Sequence, residues 1–119
     1  MAATFTHASI AAATTKSTTT LSCFVKQINE TFLVYGDFSN VLGNTETIVL
    51  GSSSVSAVDN AGSDATATIL TAASLAVSSD SLTVPCKAGT AALSPYKITF
   101  TAVTSLGNTY IVHGLMYSE

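Results

Sequence analysis

The chain has 119 residues, enough for one domain with a thin core and little beyond it. It carries four lysines, no arginine and seven carboxylates, a formal net charge of -3, which is the wrong sign for a protein that neutralises nucleic-acid phosphates. Charged residues make up 9% of the chain, hydrophobic ones 47%, and no run approaches the ~18 apolar residues of a membrane-spanning helix. Much of the hydrophobic share is alanine, and about three residues in ten are Ser or Thr, so the composition favours pleated strands and turns. So few charges on a surface favour a chain that lives against neighbours.

The N-terminus, MAATFTHASIAAATTK, has neither a basic start nor a continuous apolar stretch. It therefore does not read as a secretion signal, and the expectation is a chain made in the cytoplasm from Met1. Residues 1–22 are dominated by Ala, Thr and Ser, with Phe5 and Ile10 as the large apolar residues before Leu21. They are expected to be an extended arm, either disordered or ordered against a neighbouring subunit. Ala8–Ala13 has helix-forming composition without an apolar stripe.

The remainder, 23–119, reads as one β-sandwich domain. Leu21–Ile28 and Thr31–Tyr35 are expected strands, and Gly36–Asn44 an intervening loop built on Asp37, Asn40, Gly43 and Asn44. Thr45–Leu50 and Ser53–Val58 are expected strands around Gly51. A turn at Asp59–Asp64 leads to a returning strand at Thr66–Leu70. Ser74–Val77 and Ser81–Val84 flank a tight turn at Ser79-Asp80, and Lys87–Pro95 is a loop. Tyr96–Thr104 is the clearest element: Tyr96, Ile98, Phe100 and Ala102 alternate with Lys97, Thr99 and Thr101. Ser105–Asn108 turns the chain into its hairpin partner, Thr109–Tyr117. Seven or eight strands about ten residues apart, with no convincing helix, predict an all-β, immunoglobulin-like antiparallel β-sandwich; a small closed barrel is the competing architecture.

No catalytic constellation is legible. His7 lies in the arm, and His113 stands alone in a strand without a sequence neighbour that completes a triad. Asp59 and Asp64 share a turn that would suit a weak calcium ion, but the D-x-[DN]-x-[DN]-G pattern is missing. Phosphate-binding glycine motifs are absent, and Asn29-Glu30-Thr31 matches a glycosylation sequon that has no use without secretion. The expectation is a non-enzyme with no cofactor and no metal. Cys23 and Cys86 are either two buried thiols or one disulfide. Phe24, Phe32, Tyr35 and Phe38, then Tyr96, Phe100, Tyr110 and Tyr117, either fill the core or present a carbohydrate-binding face.

The stretch Asp37-Phe38-Ser39-Asn40-Val41-Leu42-Gly43-Asn44-Thr45-Glu46-Thr47-Ile48, then SSSVSAVDNAGSDATATIL, resembles small immunoglobulin-like tailed-phage proteins known as fibre–tail adaptors. So does KAGTAALSPYKITFTAVTSLGNTYI, through Gly89, Thr90, Tyr96, Ile98, Thr99, Val103, Thr104, Ser105 and Gly107. The likeness spans Glu30 to Glu119; Ala88 stands where the family has a first glycine, and the N-terminal segment is longer than expected. The resemblance implies a virion protein at the neck or tail, in a homo-oligomer with neck, tail or capsid subunits and a fibre, and with neither nucleic acid nor membrane as partner. The alternatives are a capsid decoration protein and a carbohydrate-binding module for host recognition. If the arm docks, Phe5, Ile10, Leu21, Phe24 and Val25 are the expected interface residues.

Overall fold

The computed structural model describes residues 2–6, 22–26, 30–43, 45–87 and 89–118. In chain order these form β1 (Ala2–Thr6), β2 (Ser22–Lys26), β3 (Phe32–Asp37), β4 (Ser54–Val58), a one-turn helix α1 (Thr66–Ile69), β5 (Ala76–Ser78), β6 (Ser81–Cys86), β7 (Tyr96–Val103) and β8 (Thr109–Ser118). Short 3-10 turns occupy Leu50–Ser52, Ala72–Ser74 and Ala91–Leu93.

The strands make two four-stranded sheets, ordered β1-β3-β6-β5 and β2-β8-β7-β4. Two separate sheets, each with two edges, make this a sandwich and not a closed barrel. The inner ladders are antiparallel, as the sequence predicts. The two N-terminal strands depart from that prediction, because β1 runs parallel to β3 and β2 runs parallel to β8. Within the expected arm, then, Ala2–Thr6 is extended but belongs to the first sheet of its own chain. Residues 7–21 lie outside the described residues.

Period-2 patterning builds the core. In β7, Tyr96, Ile98, Phe100 and Ala102 are all buried while the residues between them face outward. Val55 and Ala57 of β4 and Val112 and Met116 of β8 join them from the same sheet. Val34 of β3 and Leu82, Val84 and Cys86 of β6 meet them from the other. Phe38, Ile48, Ile69 and Leu70 close the ends.

Gly36 sets how near the sheets approach. A Cβ there would fall 2.7 Å from Cγ of Phe100, so the ring from β7 occupies the space a side chain would take. β3 continues through Gly36 and Asp37, paired with Leu82 and Ser81 of β6, where the sequence suggests a loop.

Two further expectations are corrected. Thr66–Leu70 is not a returning strand. Oδ1 of Asp64 accepts hydrogen bonds from the N–H of Thr66 (3.0 Å) and from its hydroxyl (2.7 Å), and this local turn starts α1. Thr45–Leu50 is not a strand either: Ile48 makes one bridge, to Thr104, before the chain turns at Leu50–Ser52. The tight turn at Ser79-Asp80 is present, with Ser79 at φ 55.

The loop between β6 and β7 is fixed from both sides. The hydroxyl of fully buried Tyr96 accepts the N–H of Thr90 at 3.0 Å. The side-chain amide of Asn60 donates to the carbonyls of Ala92 (3.1 Å) and Ser94 (2.9 Å), and its backbone N–H donates to Leu93 (3.0 Å). The Ser94–Pro95 peptide is cis.

Candidate docking surfaces

Two stretches far apart in the sequence, 37–49 and 103–108, meet in space. The first begins at Asp37, whose Oδ1 accepts the N–H of Ser39 at 2.9 Å. Phe38 is fully buried, and its carbonyl accepts the N–H groups of Val41 (3.0 Å) and Leu42 (3.2 Å), so the chain turns tightly after it. Glu46 follows, 6% exposed, with Oε1 accepting the N–H of Gly43 at 3.0 Å. Its Oε2 crosses to the second stretch, where it accepts the hydroxyl of Thr104 and the side-chain amide of Asn108 (2.8 Å).

Backbone bonds reinforce that junction. Ser105 N–H donates to the carbonyl of Thr47 (2.8 Å), Thr47 N–H donates to Oγ of Ser105 (3.1 Å), and Val49 N–H donates to Val103 (2.8 Å). The β7–β8 turn is itself closed by Thr104 N–H on Asn108 (2.9 Å) and Gly107 N–H on Thr104 (2.9 Å), with Gly107 at φ 83. Three donors around a buried carboxylate favour its charged form. The Thr104 hydroxyl, more than the opposing effect of burial, holds Glu46 below the ordinary carboxylate range. Burial first, and then the Glu46 charge, raise the phenol of Tyr110.

The result is a hydrogen-bonded clamp between the Glu46 loop and the β7–β8 turn. Exposed apolar side chains flank it: Val49, Leu50 and, at the tip of the β7–β8 turn, Leu106 at 64% exposure. Sequence reading treats Glu46 as one of several scattered carboxylates. Its partners lie some sixty residues away, so only the paired motifs of the resemblance hold any sign of it.

Two further carboxylates serve local structure. Oδ1 of Asp59 accepts the N–H groups of Ala61 (2.9 Å) and Ser63 (3.0 Å), closing its own turn. Asp64 is taken up by Thr66, whose hydroxyl holds it below the usual range. Among the described residues no three His, Cys, Asp or Glu side chains come together as a metal site. His113 lies opposite Thr99 in the β7–β8 ladder, half-buried on the outer face, where burial and then Lys97 lower its pKa. The thiol of Cys86 is buried, 3.2 Å from the sulfur of Met116.

Of the expected interface residues, Phe5 stands in β1 opposite Gly36, and Phe24 and Val25 stand in β2 opposite Met116 and Tyr117. The structure thus divides them between two sheets. Ile10 and Leu21 lie outside the described residues. The aromatics divide as well. Phe38, Tyr96 and Phe100 are core, while Tyr35 faces outward from the first sheet and Tyr117 from the second. Among the described residues no helix is long and apolar enough to cross a membrane. No protein-family model, curated protein or solved structure matches the chain.

Proposed function

We propose that the chain is a non-enzymatic virion structural protein of a tailed bacteriophage, an adaptor at the neck or tail that joins a fibre to the particle through repeated subunit contacts. The observation that carries this reading is the convergence of the two resembling stretches on one clamp, Glu46 with Thr104 and Thr47 with Ser105. Residues that are isolated letters in two distant motifs have a joint reason to occur together, which supports treating the resemblance as one of whole domains.

An immunoglobulin-like class is part of the same proposal. The order β3-β6-β5 facing β4-β7-β8 corresponds to strands B-E-D and C-F-G of such sandwiches. Tyr96 begins β7 and bonds back to Thr90, as the tyrosine at the E–F corner of those domains does. The non-enzymatic reading is supported by the use of Glu46, Asp59 and Asp64 in clamps and turns. A carbohydrate-binding face is disfavoured, because among the side chains described the outward-facing Tyr35 and Tyr117 point away from opposite sheets. A charged fraction of 9% suits a subunit whose surface is covered by neighbours.

Electron microscopy of particles labelled with an antibody to this chain tests the address. Label confined to the neck or tail is the expected result. Label spread over the shell would replace the adaptor reading with that of a capsid decoration protein, and unlabelled particles would end both.

A further inference from the structure

We propose that the edge of β3 is an exchange site, which takes Ala2–Thr6 from a second copy of this chain in the parallel register where it takes its own. This gives the docking reading a mechanism and rests on that reading for its setting, while its test needs the purified chain alone.

The sheet edges point to it. On the outer side of β4, Ala57 N–H donates to Oγ1 of Thr66 (2.9 Å), its carbonyl accepts the N–H of Ala65 (2.8 Å), and Val58 bridges to Asp64. That edge is closed by α1 and the residues leading into it. The β5 edge is three residues long. The long edges are those of β3 and β8, and both are covered by strands from the N-terminal segment. Left uncovered, edges of that length would template pairing with another chain, and β1 is a five-residue strand without proline or charge to oppose it.

Chain length points the same way. β1 and β2 touch one another, in sheets about 10 Å apart. Yet residues 7–21 separate them, and that stretch of chain can reach about 50 Å. The longest dimension of the molecule is 41 Å. By length alone, that much chain is enough to deliver β1 to an adjoining subunit. The closed and exchanged arrangements contain the same β1–β3 ladder, Ala2 with Leu33 through Thr6 with Asp37. Exchange between free copies costs the entropy of association, and that cost is offset where copies are held side by side.

Two single variants, Thr4→Cys and Tyr35→Cys, occupy one register position of that ladder. They are unfolded and refolded together, then oxidised and separated without reductant. Exchange predicts a covalent dimer at twice the 12.1 kDa chain mass, about tenfold or more above the yield from Thr4→Cys mixed with Ser56→Cys, an exposed position on the other sheet. Cys23 and Cys86 are common to every sample and set the same background. A dimer yield equal to that control overturns the proposal. So does a Thr4→Cys/Tyr35→Cys double variant that cross-links only within itself while the mixed single variants stay monomeric. Either result leaves the particle address of the chain standing, since a self-closed subunit can still dock.

Discussion

Gly36 and Phe100 show how one absent side chain fixes the spacing of the two sheets. The ring of Phe100 lies 2.7 Å from the place where a Cβ on Gly36 would be, closer than any real contact allows. Gly36→Ala is expected to cost about 1–3 kcal/mol in chemical denaturation, as overpacked cores do. Combined with Phe100→Leu, the loss should be smaller than the sum of the two single losses, because the smaller side chain relieves the clash. Additive losses would mean that the two residues do not meet. Nothing in the sequence marks this contact: glycine contributes no letter to a period-2 pattern, and beside Asp37 it reads as the start of a turn. Gly89, by contrast, is legible through the resemblance. Its φ of +108 disfavours any side chain, and a Cβ there would sit tightly, 3.2 Å from both Met116 and Ser118.

Among elements, the hairpin of β7 and β8 was the most legible, because its ladder is long and one face of β7 is uniformly apolar. The segments at 45–50 and 66–70 were misleading for a shared reason. Both are rich in Thr, Ile and Leu, which favour strands, but in both a carboxylate side chain takes over backbone or hydroxyl donors. Glu46 then ties its loop to the β7–β8 turn, and this link has a pH signature. A carboxylate whose folded pKa is depressed adds stability that is fully present above its unfolded pKa, about 4.3, and is lost as pH falls through the lower folded value. Glu46→Gln is expected to lower stability at neutral pH by about 1–3 kcal/mol and to flatten the decline of stability below about pH 4.3. Urea unfolding of both proteins from pH 7 to pH 3 measures it. Parallel curves across that range would show that Glu46 is not the group responsible.

On the scale of the whole molecule, the all-β sandwich was accessible from composition and alternation alone, and its two-sheet order was not. The parallel direction of β1 beside β3 and of β2 beside β8 is not legible in Ala2–Thr6 and Ser22–Lys26, because alternation within one strand carries no information about the direction of its partner. The functional reading rests on a domain with one clamped end, N-terminal strands on its two long edges, and few charges to keep copies apart. Such a subunit is suited to repeated contacts in a closed ring. Counting the chain in purified particles by quantitative mass spectrometry, against the portal or another subunit of known stoichiometry, tests this most directly. The account predicts one ring, about six to twelve copies per particle. Hundreds of copies, or none, would contradict it.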